Sequence, residues 1–135
     1  AYLTFDTTTD RQVRMKLAVS FISADKARAS LAEEMPGWDF DAYRHAARAQ
    51  WNDALAKIRV EGGSDEQQRI FYSALYRAHT MPHDLSGENV WWKSDEPHYE
   101  DFYTLWDTFR TLHPLLTVIQ PQRQRDMLRS LVDTY

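Results

Sequence analysis

Aromatic rings and carboxylates are concentrated between residues 84 and 109. The apolar face of a hexose packs on an aromatic ring, and its hydroxyl groups donate to carboxylate oxygens. This part of the chain therefore has the side chains that a sugar site requires. The same composition also arises where rings belong to a core and acids are solvated, and composition alone favours that interpretation. The side chains concerned are Trp91, Trp92, Tyr99, Phe102, Tyr103, Trp106 and Phe109, with Asp84, Glu88, Asp95, Glu96, Glu100, Asp101 and Asp107.

Trp106 and Asp107 form the sharpest pair in this stretch, and Arg110 follows three residues later. The alternative interpretation is a surface ion pair between Asp107 and Arg110, which would contribute only a few tenths of a kcal/mol. Glu100 and Asp107 would lie roughly 10 Å apart on one helix, near the separation of an acid and base couple. Pro97 and the polar residues around it disfavour a helix at residue 100, so no such couple is assigned.

One histidine is a further candidate for binding the substrate. His98 lies within the aromatic and acidic stretch, and it is the histidine best placed to face a ligand. His79 and His83 have the spacing of a helical metal pair, but Pro82 lies between them and the glutamate of a zinc hydrolase motif is missing. The sequence therefore predicts no metal site.

The elements that must position these residues change along the chain from β to α. Leu3 and Phe5, then every second residue from Val13 to Phe21, are apolar. A period of two predicts an antiparallel hairpin with one buried face. Two strands alone are marginally stable, so the hairpin is expected to be the edge of a larger sheet.

Helical patterns follow, with start signals at Ser23, at Asp39 and at Ser64, whose partner in a capping box is Gln67. A further helical pattern begins near Thr104, and Pro114 inside it is expected to kink or divide the helix. Pro121 fits the first position of the last helix. The predicted fold class is mainly α with a β N-terminal segment.

Overall composition excludes several classes of protein. The chain has 135 residues, a net charge of −4 and no cysteine. A mildly acidic chain lacks the electrostatic footprint for nucleic acid or an anionic membrane, so neither is expected as a partner. Both ends interrupt a regular pattern, which suggests a piece of a longer polypeptide.

Several stretches, taken in order, resemble glycoside hydrolase family 92, the calcium-dependent exo-acting α-mannosidases. The run from Trp106 to Leu115 (Trp-Asp-Thr-Phe-Arg-Thr-Leu-His-Pro-Leu) is the most specific of them. The resemblance implies a β-sandwich, a helical linker and an (α/α)6 barrel. Residues 1–22 would be the last strands of the sandwich, residues 23–63 the linker, and residues 64–135 the start of the catalytic barrel.

The resemblance also implies inverting hydrolysis of terminal α-mannose from glycans. Calcium is the cofactor of the family, with no ligand assigned in this chain, and the acid and base carboxylates come from segments beyond Tyr135. No residue here is therefore expected to be catalytic. Asp107 would hydrogen-bond mannose hydroxyl groups beside Trp106, Arg110 would orient Asp107, and the substrate-binding set would be completed by Trp91, Trp92 and His98.

The expected partners are mannose-containing glycans and the remainder of the same polypeptide, and the resemblance suggests a secreted or periplasmic enzyme. The loop from His83 to Tyr99 is shorter than is common in the family, which leaves the linkage preference open. Two other functions also remain open. One is a non-catalytic carbohydrate-binding or interaction module, and the other is a different (α/α)6 glycosidase.

Overall fold

The computed structural model describes residues 2–135, in which six helices and one two-stranded sheet occur. The chain divides into two compact units, one ending at Trp38 and the other beginning at Asp39. No helix within residues 2–135 has both the length and the apolar character needed to cross a membrane. In chain order the elements are α1 (Ala24–Glu34), α2 (Phe40–Leu55), α3 (Asp65–Ala78), β1 (His83–Asp84), β2 (Tyr99–Glu100), α4 (Leu105–Thr108), α5 (Leu112–Ile119) and α6 (Pro121–Thr134).

The three helix starts predicted from capping residues are confirmed. The Ser23 hydroxyl accepts the backbone N–H of Lys26 at 3.1 Å, ahead of α1. Asp39 accepts the N–H of Ala42 at 3.0 Å, ahead of α2. The capping box of α3 is complete, because Ser64 and Gln67 each accept the other's backbone N–H. Each cap satisfies backbone donors that a helix start leaves without partners.

The hairpin predicted for the N-terminal segment is absent from residues 2–22, which contain no strand. The face expected to be buried is also solvent-exposed, since Leu17 and Val19 are each 74% exposed. The half-buried residues of this segment are instead the alternate ones, Lys16, Ala18 and Ser20. The physical reason is that no further strand or helix among residues 2–135 covers the apolar row, and two unsupported strands gain little from pairing. The assignment of this segment to a sandwich stays a prediction.

The helix predicted from Thr104 onward is divided, but not at Pro114. The break comes at residues 109–111, between α4 and α5, and Pro114 is the third residue of α5. Proline is tolerated in a first turn because the N–H groups there have no partner within the helix. Pro121 is the first residue of α6, as predicted.

A small core in the second unit joins β2 to α5 and α6. Its buried members are Tyr99, Leu116 and Met127, with Phe102, Leu112 and Ile119 packed against them. The Ser130 hydroxyl of α6 accepts the N–H of Tyr99 at 2.8 Å and donates to the Tyr99 carbonyl at 3.3 Å. These bonds fix β2 on α6, and β2 pairs with β1 in the register His83 to Glu100.

Candidate functional site

Three of the predicted substrate-binding residues lie together around the carboxylate of Glu100. The Trp91 indole N–H donates to Glu100 Oε1 at 3.2 Å, and the His98 Nε2–H donates to the same oxygen at 3.0 Å. The Trp92 ring meets the His98 imidazole edge to face at 5.5 Å. The Trp92 indole N–H donates to Asp133 Oδ2 of α6 at 2.7 Å. We call these five residues, Trp91, Trp92, His98, Glu100 and Asp133, the indole–histidine cluster.

The indole–histidine cluster is buried at His98 and exposed to solvent at Trp91. His98 is 5% exposed, whereas Trp91 is 73% exposed. The backbone N–H of Trp91 is also held, by Asn89 Oδ1 at 2.9 Å. An exposed indole fixed at both its backbone and its ring nitrogen loses little freedom when a flat apolar ligand surface packs on it. The cluster can therefore present a ring to the C–H face of a sugar.

The other three predicted residues lie on or just beyond α4. Trp106 is 72% exposed, and Asp107 and Arg110 are exposed as well. The Arg110 guanidinium lies over the Phe109 ring at 5.4 Å. Within residues 2–135 the ion pairs do not include one between Asp107 and Arg110. The orienting role predicted for Arg110 would require its side chain to leave Phe109, and the Asp107 carboxylate faces solvent.

The turn between β2 and α4 has a left-handed backbone at two residues that are not glycine. Asp101 has a φ of 65°, and Thr104 has a φ of 49° and a ψ of 53°. Aspartate tolerates this region, but a β-branched residue there is a conformational outlier that costs roughly 1–3 kcal/mol. Such a backbone persists only where surrounding contacts hold it, and these contacts begin at Asp101.

The Asp101 carboxylate is held by two side chains. His83 Nδ1 contacts Asp101 Oδ2 at 2.5 Å across the β1–β2 pair. The Tyr103 hydroxyl donates to the same carboxylate. The bonds from His83 and Tyr103 favour the ionised carboxylate and lower the pKa of Asp101 below its ordinary value of 3.8. The same contact raises the pKa of Tyr103, because losing the phenolic proton would place two negative charges together.

A second polar contact in the β1–β2 region is partly buried. The Tyr99 hydroxyl donates to Asp84 Oδ2 at 3.1 Å. Burial of the ring and the nearby Asp84 charge raise the pKa of Tyr99 to about 12. The carboxylate of Asp84 also accepts the hydroxyl and the backbone N–H of Ser86.

Within residues 2–135, no group of three or more His, Asp or Glu side chains is placed so that it could bind a metal ion. His79 is 6% exposed, and its Nδ1–H donates to the Leu75 carbonyl at 2.8 Å. His83 is paired with Asp101 instead.

Sequence reasoning missed the partners of Asp133, Asp101 and His83. Asp133 accepts a hydrogen bond from the indole of Trp92, which lies 41 residues away in the sequence. His83 lies 18 residues from its partner Asp101. No local spacing signals contacts of this kind, since they depend on how β1, β2 and α6 pack. Glu100 was considered for acid–base chemistry, and the structure instead places it as the acceptor between His98 and Trp91.

Three comparisons place this chain among known proteins. Residues 26–135 match the family model described as the "Glycosyl hydrolase family 92 catalytic domain". An "Uncharacterized secreted glycosidase" of Arthroderma benhamiae is 38% identical over 115 residues, which is 81% of this chain and 15% of that protein. A solved structure titled "Structure of the gh92 family glycosyl hydrolase ccman5" is 31% identical, with a TM-score of 0.71, over 84% of this chain and 16% of that one. The chain thus spans about one sixth of the length of these relatives.

Proposed function

Because the chain belongs to glycoside hydrolase family 92, we propose that it is part of an exo-acting α-mannosidase that releases terminal α-mannose with inversion. The match of residues 26–135 to the catalytic domain of the family carries this proposal. The relatives are several times longer, which supports a role for this chain as one piece of a larger catalytic unit. We expect hydrolytic activity from the full-length enzyme.

The exposed residues of α4 are proposed to recognise the terminal mannose. Asp107 is an acceptor-only group that faces solvent, so its oxygens are free to accept hydroxyl protons of a sugar. Trp106 beside it offers an exposed ring for the apolar face of the pyranose. Arg110 is proposed to swing from the Phe109 ring and orient Asp107 when the pocket is complete.

The indole–histidine cluster is proposed to bind the substrate beside that subsite. Trp91 provides the stacking surface, while Trp92 and His98 support it from below through the contacts with Asp133 and Glu100. Mannose-containing glycans are the proposed ligands. The acid and base carboxylates and the calcium ligands are proposed to come from other parts of the same polypeptide. Calcium, when bound there, would help to hold and distort the mannose.

Export from the cytoplasm is a further part of the proposal. It is supported by the description of the Arthroderma benhamiae relative as secreted. A secreted or periplasmic location would bring the enzyme to extracellular glycans.

The experiment compares the full-length polypeptide that contains these residues with its Asp107→Ala variant on an α-mannoside. We expect kcat/KM to fall at least about tenfold in the variant, the loss expected for a hydrogen bond to a charged group. Asp53→Ala, which removes an exposed helical aspartate on α2, is the matched control and should leave kcat/KM unchanged. Proton NMR of the first product should show β-mannose, since the reaction inverts the anomeric centre.

Two results would contradict the proposal. Near-normal kinetics in Asp107→Ala would remove Asp107 from the site. Hydrolysis by the 135-residue chain alone would show that these residues do not need the rest of a barrel. Titration of mannose into the chain alone tests the non-catalytic alternative, because a self-contained binding module would bind and a partial pocket would not.

A further inference from the structure

We propose that Asp101 and His83 form a positioning pair that sets the direction of α4, and hence the placement of Trp106 and Asp107. The inference rests on the proposed function for its effect on activity. The observation behind it is that the turn entering α4 has a left-handed backbone at both Asp101 and Thr104, with a side-chain contact holding one end.

The turn is held at two points before α4 begins. The first is Asp101, whose carboxylate contacts His83 of β1 at 2.5 Å. The second is Phe102, which packs against the buried core of Tyr99, Leu116 and Met127. Phe102 packs on the core, whereas the next residue, Tyr103, is 61% exposed.

The backbone of Thr104 carries this placement into α4. Its carbonyl accepts the N–H of Asp107 at 2.8 Å and the N–H of Thr108 at 3.0 Å. No side chain caps α4, so the orientation of this carbonyl sets the direction of the helix. A contact that fixes the turn at Asp101 therefore acts on Asp107 through the backbone of residues 101–104 and the Thr104 carbonyl.

His83 is a fixed partner for this purpose. It pairs with Glu100 in the β1–β2 register, and Glu100 accepts from both His98 and Trp91. Arg123 of α6 holds the segment before β1 by donating to the carbonyls of His79 and Pro82, each at 3.0 Å. The imidazole thus projects from an anchored strand toward a turn that needs support. Neither Asp101 nor His83 is proposed to touch the substrate.

The test uses the full-length polypeptide with Asp101→Gly and Asp101→Asn. Glycine accepts the left-handed backbone but has no carboxylate, so we expect kcat/KM to fall about tenfold. Asparagine tolerates the same backbone and retains an acceptor, so we expect it to keep kcat/KM within about threefold of the native enzyme. Asp41→Asn, which removes the surface ion pair with Arg44 on α2, is the matched control and should have no effect.

A double-mutant cycle separates positioning from general destabilisation. If Asp101 acts through Asp107, adding Asp101→Gly to Asp107→Ala should lower kcat/KM by no more than about twofold further. Losses that multiply in the double variant would overturn the proposal. Where Asp107→Ala is impaired, native kcat/KM in Asp101→Gly would also overturn it.

A readout without activity distinguishes this inference from the proposed function. The protein is labelled with 5-fluorotryptophan, and the ¹⁹F resonance of Trp106 is assigned with Trp106→Phe. We expect this resonance to move in Asp101→Gly and His83→Ala and to stay in place in Asp101→Asn. If it moves while Asp107→Ala keeps normal kinetics, the positioning pair stands and the proposed mannose subsite fails. An unchanged resonance in Asp101→Gly would overturn the positioning pair itself.

Discussion

The indole–histidine cluster and the α4 group of Trp106, Asp107 and Arg110 both contain the aromatic and charged residues of a sugar site, but their surroundings differ. In the cluster, polar atoms are paired with one another, as in the bonds from Trp92 to Asp133 and from His98 to Glu100. On α4, the tryptophan and the aspartate face solvent. The first arrangement stabilises the protein's own fold, and the second leaves its polar atoms free for another molecule.

This difference has an energetic consequence. A paired, half-buried side chain contributes to the free energy of unfolding, because its removal leaves its hydrogen-bond partner unsatisfied and creates a cavity. An exposed side chain contributes little to stability, and its effect appears when a ligand binds. The same type of substitution should therefore lower stability in the cluster and activity on α4.

The largest effect on stability is expected from Trp92→Ala. The variant loses the ring packed on His98 and leaves Asp133 without its donor, so we expect the free energy of unfolding to fall by about 2–4 kcal/mol. Trp106→Ala is the matched substitution on α4 and should change it by less than about 0.5 kcal/mol. Urea titration followed by far-UV circular dichroism measures both. Equal losses would mean that the two regions do not differ as described.

A smaller effect is expected at alkaline pH from Tyr99. Its pKa is raised from 10.0 to about 12, so the native state keeps the phenolic proton after the unfolded chain has lost it. Stability is then fully present below pH 10 and falls as the pH rises toward 12, by roughly 1–3 kcal/mol. Tyr99→Phe should remove this component of the alkaline loss. Unfolding measured by urea at pH 9 and pH 11 tests it, and an identical loss in the variant would contradict it.

The smallest effect is expected at acid pH from Asp101. Its pKa is lowered below 3.8 by His83 and Tyr103, so the contribution of the ionised carboxylate is present above pH 3.8 and lost as the pH falls through the lowered value. Asp101→Asn should lower stability near neutrality, where the ionised carboxylate contributes, and make the stability curve flatter below pH 3.8. Thermal unfolding at pH 3 and pH 7 measures the difference. A steeper acid loss in the variant would mean that the carboxylate is not held as described.

Helix starts were predictable because their signals are local. The caps at Ser23, Asp39 and Ser64 each act within three residues, so a short stretch of sequence contains both partners. The strand pattern of residues 13–21 was less informative, since an apolar row becomes a buried sheet face only where another layer covers it. In the structure that row is exposed, and residues 2–22 contain no strand.

Prediction of the candidate site was also uneven. The grouping of Trp91, Trp92 and His98 followed from their closeness in sequence, and the structure brings these side chains together. The break before α5 was placed at Pro114 because proline interrupts a helix, but a first turn accepts it. The strained turn at Asp101 and Thr104 has no sequence signal, because aspartate and threonine are ordinary loop residues.

The sequence by itself determined the starts of α1, α2, α3 and α6, and it determined the family. These properties depend on side chains a few residues apart or on the order of motifs along the chain. The tertiary structure decided which polar groups are paired and which are free. Asp133 meets Trp92, and His83 meets Asp101, only because β1, β2 and α6 pack around one core. Packing across tens of residues thus made the indole–histidine cluster a support and left Asp107 open to solvent.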